Sequence, residues 1–247
     1  MILIVSQITI PRQTLAGLRR TLFCQNWGNT VSLAIFDLDN TLLAGDSDYL
    51  WGEFLVAKGI VDGEAYRRAN EDFYRQYREG CLDIAEFLRF ALRPLAEHPG
   101  QSLYRWREEF VEECIRPILL TAAFAAVEKH RQAGDLLLVV TATNRFVTEP
   151  IVKLYGIEHL IATTPEFRDG RYTGNFEGIP CFQEGKVKRL DEWMALGGHD
   201  LRDSWFYSDS HNDLPLLQQV SNPVAVDPDE TLSRIAREKG WPVVSFR

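Results

Sequence analysis

Positive charge is scarce in this chain. Across 247 residues there are 27 Lys and Arg against 35 Asp and Glu, a formal charge of −8. No basic block interrupts that balance, so the electrostatic footprint of a nucleic-acid binder is missing. Long apolar runs are missing too. A stretch such as Leu136–Val140 falls far short of the ~20 residues a membrane span needs. Met1–Ile10 is apolar but lacks a basic leading region and a small-residue cleavage site, which argues against a secretory leader. Of the four cysteines, Cys24, Cys81, Cys114 and Cys181, no two lie within thirty residues. That spacing excludes a Cys-x-x-Cys metal or redox motif and suits free thiols in a reducing, cytoplasmic setting. Methionine occurs only at Met1 and Met194, and the first apolar strand pattern begins at Val31. The expectation is that Val31 is the true initiator, with 1–30 a poorly ordered extension.

What remains is an ordinary globular composition, 45% hydrophobic and 25% charged. From Val31 onward short apolar strands alternate with amphipathic helices, the pattern of an α/β fold with a mostly parallel sheet. The predicted strands are Leu33–Asp37, Leu136–Thr141, Leu160–Thr163, Trp205–Ser208 and Pro223–Val226. Each is continuously apolar, as strands covered on both faces are. Asp169-Gly170 predicts a hairpin turn. Asp227-Pro228-Asp229-Glu230 predicts a helix start, with Asp227 as N-cap and Pro228 at its first position, closed by Gly240.

Thr141 stands 104 positions after Asp37, whereas a βαβ unit needs only roughly thirty residues. The surplus of about seventy carries apolar residues at helical spacing, among them Phe73, Tyr77, Phe87, Leu88 and Leu92. A helical insertion after the first strand would stand over the carboxyl ends of the strands, where α/β sheets bind ligands. The expected division is a core of 31–48 and 120–247 with a helical lid of 49–119.

Chemistry concentrates at predicted strand ends. Asp37-Leu38-Asp39-Asn40-Thr41 follows one strand, and Ser208-Asp209-Ser210-His211-Asn212-Asp213 follows another. Three or four carboxylates in one crevice cannot all ionise without a counter-charge. An all-oxygen set with waters suits Mg²⁺. Val139-Val140-Thr141-Ala142-Thr143-Asn144 ends a third strand. There a hydroxyl and the backbone N–H groups from Ala142 onward would cradle a phosphate at a strand-to-helix turn. Either Thr141 or Thr143 could face the site; strand position favours Thr141. Lys186, in competition with Lys188 and Arg189, is the candidate to neutralise phosphate and carboxylates. His211 suits a surface or supporting role better than a catalytic one.

These motifs, in this order, resemble the haloacid dehalogenase-like hydrolase superfamily, and within it the phosphoserine-phosphatase-like subfamily IB. The resemblance runs from about Val31 to Arg247. It implies a Rossmann-like parallel sheet with a helical cap of the C1 type inserted after the first strand. It implies that Asp37 takes the phosphoryl group as an aspartyl phosphate and that Asp39 serves as acid, then base. Mg²⁺ would be held by Asp37, the Asp39 carbonyl and Asp209, with Asp213 and Asn212 in support, while Thr141, Ala142 and Lys186 bind the phosphoryl oxygens.

The substrate would be a small phosphate monoester. In the phosphoserine phosphatases a glutamate soon after the first motif meets the substrate ammonium; here Asp46 and Asp48 are the candidates. Nine lid arginines compete to meet a substrate carboxylate, and the sequence singles out none. Asp37–Trp51 and the lid segment are also similar to subfamily IB proteins that act as histidinol-phosphate phosphatases. Histidinol phosphate is therefore the leading expectation and O-phosphoserine the second. A phosphorylation-controlled switch of the receiver type also combines aspartates, Thr and Lys. It needs neither a second acid two residues on nor a seventy-residue lid.

Overall fold

The computed structural model describes residues 31–247. The expectations concerning 1–30, including the start at Val31, the poorly ordered extension and the missing leader, lie outside the described residues. Leu33–Phe36 forms β1, with all four side chains buried. Ala34 and Phe36 enter one apolar cluster while Leu33 and Ile35 enter another on the opposite face. A continuous apolar run is thus what a strand between two layers requires.

The sheet order is β4-β3-β2-β1-β5-β6-β7, where β2 is Leu136–Asn144, β3 His159–Arg168, β4 Arg171–Glu177, β5 Trp205–Ser208, β6 Asn222–Val226 and β7 Val243–Val244. All neighbours are parallel except β3 and β4. The chain winds outward in both directions from β1, so the crevice of the topological switch lies at its end. Phe36 is level with Val139 of β2 and Tyr207 of β5. The residues that follow these three positions therefore emerge side by side.

The predicted hairpin forms: Asp169 and Gly170 both take positive φ, 50° and 79°, as a two-residue turn matched to strand twist demands. Three expectations change in detail. β3 runs on to Arg168 because the hairpin with β4 extends it. β2 continues through Thr141–Thr143 to Asn144, with its register against β3 broken between Val140 and Asn144. The threonines therefore stand on an irregular strand end, not in a strand-to-helix turn. The last long helix, α9 (Glu230–Lys239), is capped by Asp229 rather than Asp227. Asp229 accepts the Leu232 N–H at 2.8 Å, whereas Asp227, at φ 41°, accepts from Phe246 N–H.

Helices occupy the stretch between β1 and α5 (Thr121–Ala133). They are α1 (Ser47–Ala57), α2 (Gly63–Glu79), α3 (Ile84–Glu97) and α4 (Gly100–Phe110), followed by a π-helical turn at Val111–Ile115. The stops are local. Gly80 ends α2 in the left-handed region, Asp83 caps α3, and Pro99 precedes α4. The two strands of chain that lead into and out of this insertion are tied together by a Leu43–Leu119 bridge and by Ala44 N–H donating to Ile118 O at 2.8 Å. Among the described residues no helix is long and apolar enough to cross a membrane.

Candidate active site

Two strand ends and one helix start deliver the charged groups. Asp37 follows β1 directly, its N–H bonded to Tyr207 O of β5 at 2.9 Å. Lys186, in the first turn of α7 (Glu184–Gly197), is 2% exposed. Its Nζ donates to Asp37 Oδ1 at 2.7 Å and reaches Asp213 Oδ1 at the same distance. Asp213 also accepts from Ser208 Oγ at 2.7 Å. The alternatives are settled by packing. Lys188 is exposed, and Arg189 is bound to Ile179 O and Thr164.

Lys186 is aimed inward by its surroundings. Gly185 approaches Pro180 so closely that a Cβ there would lie 2.0 Å from the Pro180 carbonyl oxygen. Gln183 turns into the helix at φ 48°. No larger residue at 185 permits that approach, and the approach sets which face of α7 the next residue takes.

Thr41 bridges the two acidic motifs. Its Oγ1 donates to Asp209 Oδ1 at 3.1 Å, accepts the Asp209 N–H at 3.1 Å, and lies 3.4 Å from Asp37 Oδ2. Asp37 and Asp209 therefore share one locus. Asp39 is held separately. Its Oδ1 accepts Ser47 N–H at 2.6 Å at the start of α1, and its Oδ2 accepts from Thr143 Oγ1 at 2.8 Å. Thr141, 1% exposed, turns its Oγ1 to the Thr143 N–H at 3.3 Å. Both threonines and Ala142 face the same cavity. Sequence reasoning missed the Ser47 N–H and the hydroxyl of Ser208. The Asp46-Ser47 helix start was the available signal for the first.

The electrostatics follow from burial. Loss of water pushes Asp37 up to about 7, Lys186 opposing and Asp213 adding to the rise. Asp39 is also pushed up to about 7, by burial and then by Asp46. Asp209 is raised well above the usual range by burial and by Asp37. Burial works against the Lys186 charge, but Asp213 and Asp37 outweigh it and hold its ammonium above the ordinary value. Among the described residues the centre is short of positive charge: one lysine faces Asp37 and Asp213, while Asp209 has a hydroxyl and its own N–H.

Metal fit can be judged on these donors. Among the described residues no three His, Cys, Asp or Glu side chains already stand as a ligand cluster. A Mg²⁺ ion does not require three, because one or two carboxylates plus waters and substrate oxygens complete its shell. Asp37 and Asp209, joined through one hydroxyl, supply such a pair, and a divalent cation would offset the burial and mutual repulsion that raise them. The donor set fits.

Above the carboxylates lies a cavity. Its floor is Asp37, Asp39 and Thr141–Thr143; Asp46, Asp48 and Asn70 stand in its wall; Phe73, Tyr74, Tyr77 and Phe87 roof it. The predicted candidates Asp46 and Asp48 both reach it, with different duties. Asp46 caps α1, accepting the N–H groups of Asp48 and Tyr49 at 3.0 and 2.8 Å. The Asp48 carboxylate takes no hydrogen bond from the described residues, and burial, Asp46 and Asp39 raise it well above the usual range. No Arg or Lys among the described residues lines this cavity. Arg67 pairs with Glu53, Arg75 with Asp72 and Arg93 with Glu97, while Arg107 donates to Phe146 O.

His211 is a supporting residue in the structure. Its Nδ1 lies 2.8 Å from Asp229 Oδ2, and it does not line the carboxylate cavity. Asn212 donates to Tyr77 O and accepts from Gln183, each at 2.9 Å.

Comparison with known proteins agrees with this geometry. The sequence profile of the haloacid dehalogenase-like hydrolases matches residues 34–218. A histidinol-phosphatase of Neisseria meningitidis serogroup C is 48% identical over 220 residues, covering 87% of this chain and 99% of the relative. A phosphoserine phosphatase of Mycobacterium tuberculosis is 30% identical over 217 residues, covering 87% and 70%. Among solved structures, a Bordetella pertussis Tohama I protein of unknown function superposes with a TM-score of 0.84 at 48% identity, over 89% of this chain and 100% of that one. A substrate-bound phosphoserine phosphatase superposes with a TM-score of 0.65 at 16% identity, over 89% and 95%. The latter likeness concerns the fold alone.

Proposed function

Because the chain belongs to the haloacid dehalogenase-like hydrolase family and is a phosphatase, we propose that it hydrolyses a small cationic phosphate monoester, histidinol phosphate first, through an aspartyl phosphate on Asp37. The observation that carries the proposal is the Asp37–Lys186–Asp213 contact beside Asp209 and Asp39, with an acceptor-rich cavity above it.

Asp37 touches Lys186 and also lies beside the Thr41 hydroxyl that holds Asp209. That placement suits a nucleophile attacking phosphorus, since Lys186 offsets charge on the phosphoryl oxygens. Asp39 is held apart by Ser47 and Thr143 and is raised toward neutrality. A carboxyl near its midpoint at working pH can give a proton to the leaving alkoxide and then take one from water. Asp37, the Asp39 carbonyl and Asp209 would hold Mg²⁺, which when bound supplies charge neutralisation at the phosphoryl group. Thr141 and the Ala142 backbone, on the cavity floor, would orient the phosphoryl oxygens. The helical insertion of 49–119 would act as the cap, over the core of 31–48 and 120–247.

The wall supports the choice of leaving group. Asp46, Asp48 and Asn70 are acceptors suited to an ammonium or imidazolium, and the aromatic roof suits a ring. Phosphoserine would also bring a carboxylate, for which the described wall has no cation. The name of the Neisseria relative points the same way.

The test is a screen of metabolite phosphates in Mg²⁺ and in EDTA. Histidinol phosphate is expected to give kcat/KM at least about tenfold above O-phosphoserine, or ~1.4 kcal/mol, with activity lost in EDTA. A preference for phosphoserine, or full activity in EDTA, would overturn the substrate or the metal reading respectively.

A further inference from the structure

We propose that Gly80 and His211 are positioning residues for the substrate's organic group. Together they form the seat that fixes α2, and with it the aromatic roof of the cavity, over the carboxylates. This rests on the cavity reading above.

Helix α2 presents Phe73, Tyr74 and Tyr77 to the cavity and ends at Gly80, φ 71°. At that end it meets the loop between Asp209 and Asp213. A Cβ on Gly80 would stand 2.7 Å from His211 Nε2, well inside contact distance. The imidazole is not free to swing aside. Its Nδ1 lies 2.8 Å from Asp229 Oδ2, and the same oxygen accepts the His211 N–H at 2.7 Å. Asp229 is itself fixed, capping α9 with its other oxygen and donating its N–H to Asp209 O at 2.8 Å. One residue on, Asn212 Nδ2 donates to Tyr77 O at 2.9 Å.

The last turn of α2 is therefore seated on His211 and clipped by Asn212. Only a residue without a Cβ lets the helix come down this far. Raising it by the thickness of a methyl group would lift the roof while leaving the groups at the strand ends in place. Binding of the organic group should suffer, and the chemical step should not.

Alanine at Gly80 also meets backbone strain at positive φ. Gly59 provides the control, because it has φ 67° and nothing within 4 Å of an added Cβ. The experiment compares Gly59→Ala, Gly80→Ala, His211→Ala and the Gly80→Ala/His211→Ala double variant. Hydrogen exchange of the α2 amides is measured, with kcat and KM for histidinol phosphate and for phenyl phosphate, an ester without a cation. Relative to Gly59→Ala, Gly80→Ala is expected to speed exchange at 73–77 about tenfold. It should also raise KM for histidinol phosphate about tenfold and keep kcat within about threefold, a loss of binding alone. In the His211→Ala background the Gly80 substitution should add no more than the strain control, as a double-mutant cycle requires of a direct contact.

Equal behaviour of Gly80→Ala and Gly59→Ala, or the same Gly80 effect in both backgrounds, would overturn the proposal. If Gly80→Ala does not fold, His211→Ala alone decides. Faster exchange in α2 supports the seat, and unchanged exchange refutes it. Should the wild type hydrolyse phenyl phosphate but not histidinol phosphate, the substrate reading fails while the exchange cycle still judges the seat.

Discussion

Thr143 donates its hydroxyl to Asp39 Oδ2 at 2.8 Å, joining the end of β2 to the second carboxylate of the motif that ends β1. A hydrogen bond to a charged group is worth about 1.5–3 kcal/mol. Thr143→Val is therefore expected to lower kcat roughly ten- to a hundredfold, with Thr143→Ser restoring most of it. Steady-state kinetics decide, and a fully active valine variant would remove Thr143 from the account.

Asp37→Asn should reduce turnover by about a thousandfold or more, since the nucleophile is lost and not merely displaced. Asp39→Asn should be severe for alkyl phosphates and milder for esters of acidic phenols, whose leaving groups need no proton. Rates for the two substrate types give the answer. Equal losses for both would speak against Asp39 as the acid.

The Asp48 carboxylate is half-buried and takes no hydrogen bond from the described residues, so a cationic ligand is its natural partner. Truncating one side of a buried charge pair costs about 2–5 kcal/mol. Asp48→Asn is thus expected to raise KM for histidinol phosphate more than about tenfold while phenyl phosphate changes by less than about threefold. Parallel losses on both substrates would show that Asp48 serves the fold or the chemistry instead.

Asp37 and Asp39 are both pushed up to about 7 from 3.8, chiefly by burial. Between those values the folded, metal-free protein holds protons that the unfolded chain has released. Stability should then fall as pH rises from about 4 through 7. Thermal melts without metal are expected to show Tm dropping from pH 5 to pH 8. The Tm gain from Asp39→Asn should be larger at pH 8 than at pH 5, and so should the gain from added Mg²⁺. A gain from the asparagine that shrinks with rising pH would contradict the raised carboxyl.

Much of the fold was legible because burial on both faces leaves a plain sequence mark. Leu33–Phe36, Leu136–Val140 and Trp205–Tyr207 are apolar without alternation and then break into Asp37, Thr141 and Ser208-Asp209. The turn Asp169-Gly170 was legible through its demand for positive φ. The cap of α9 was misread because Asp227 and Asp229 flank Pro228 alike in sequence. Asp227 is drawn off by Phe246 and Arg247, residues nearly twenty positions away.

By itself the sequence determined which side chains stand at the strand ends, because strand period and apolar runs are properties of neighbours along the chain. It determined neither which lysine enters the centre nor what the lid arginines do. Lys186 outranks Lys188 and Arg189 because packing beside the close Gly185–Pro180 approach brings it onto Asp37 and Asp213, and the lid arginines Arg67, Arg75, Arg93 and Arg107 turn out to be spent on acids and a carbonyl elsewhere. Those outcomes depend on approach distances between segments remote in the chain, which tertiary packing alone fixes.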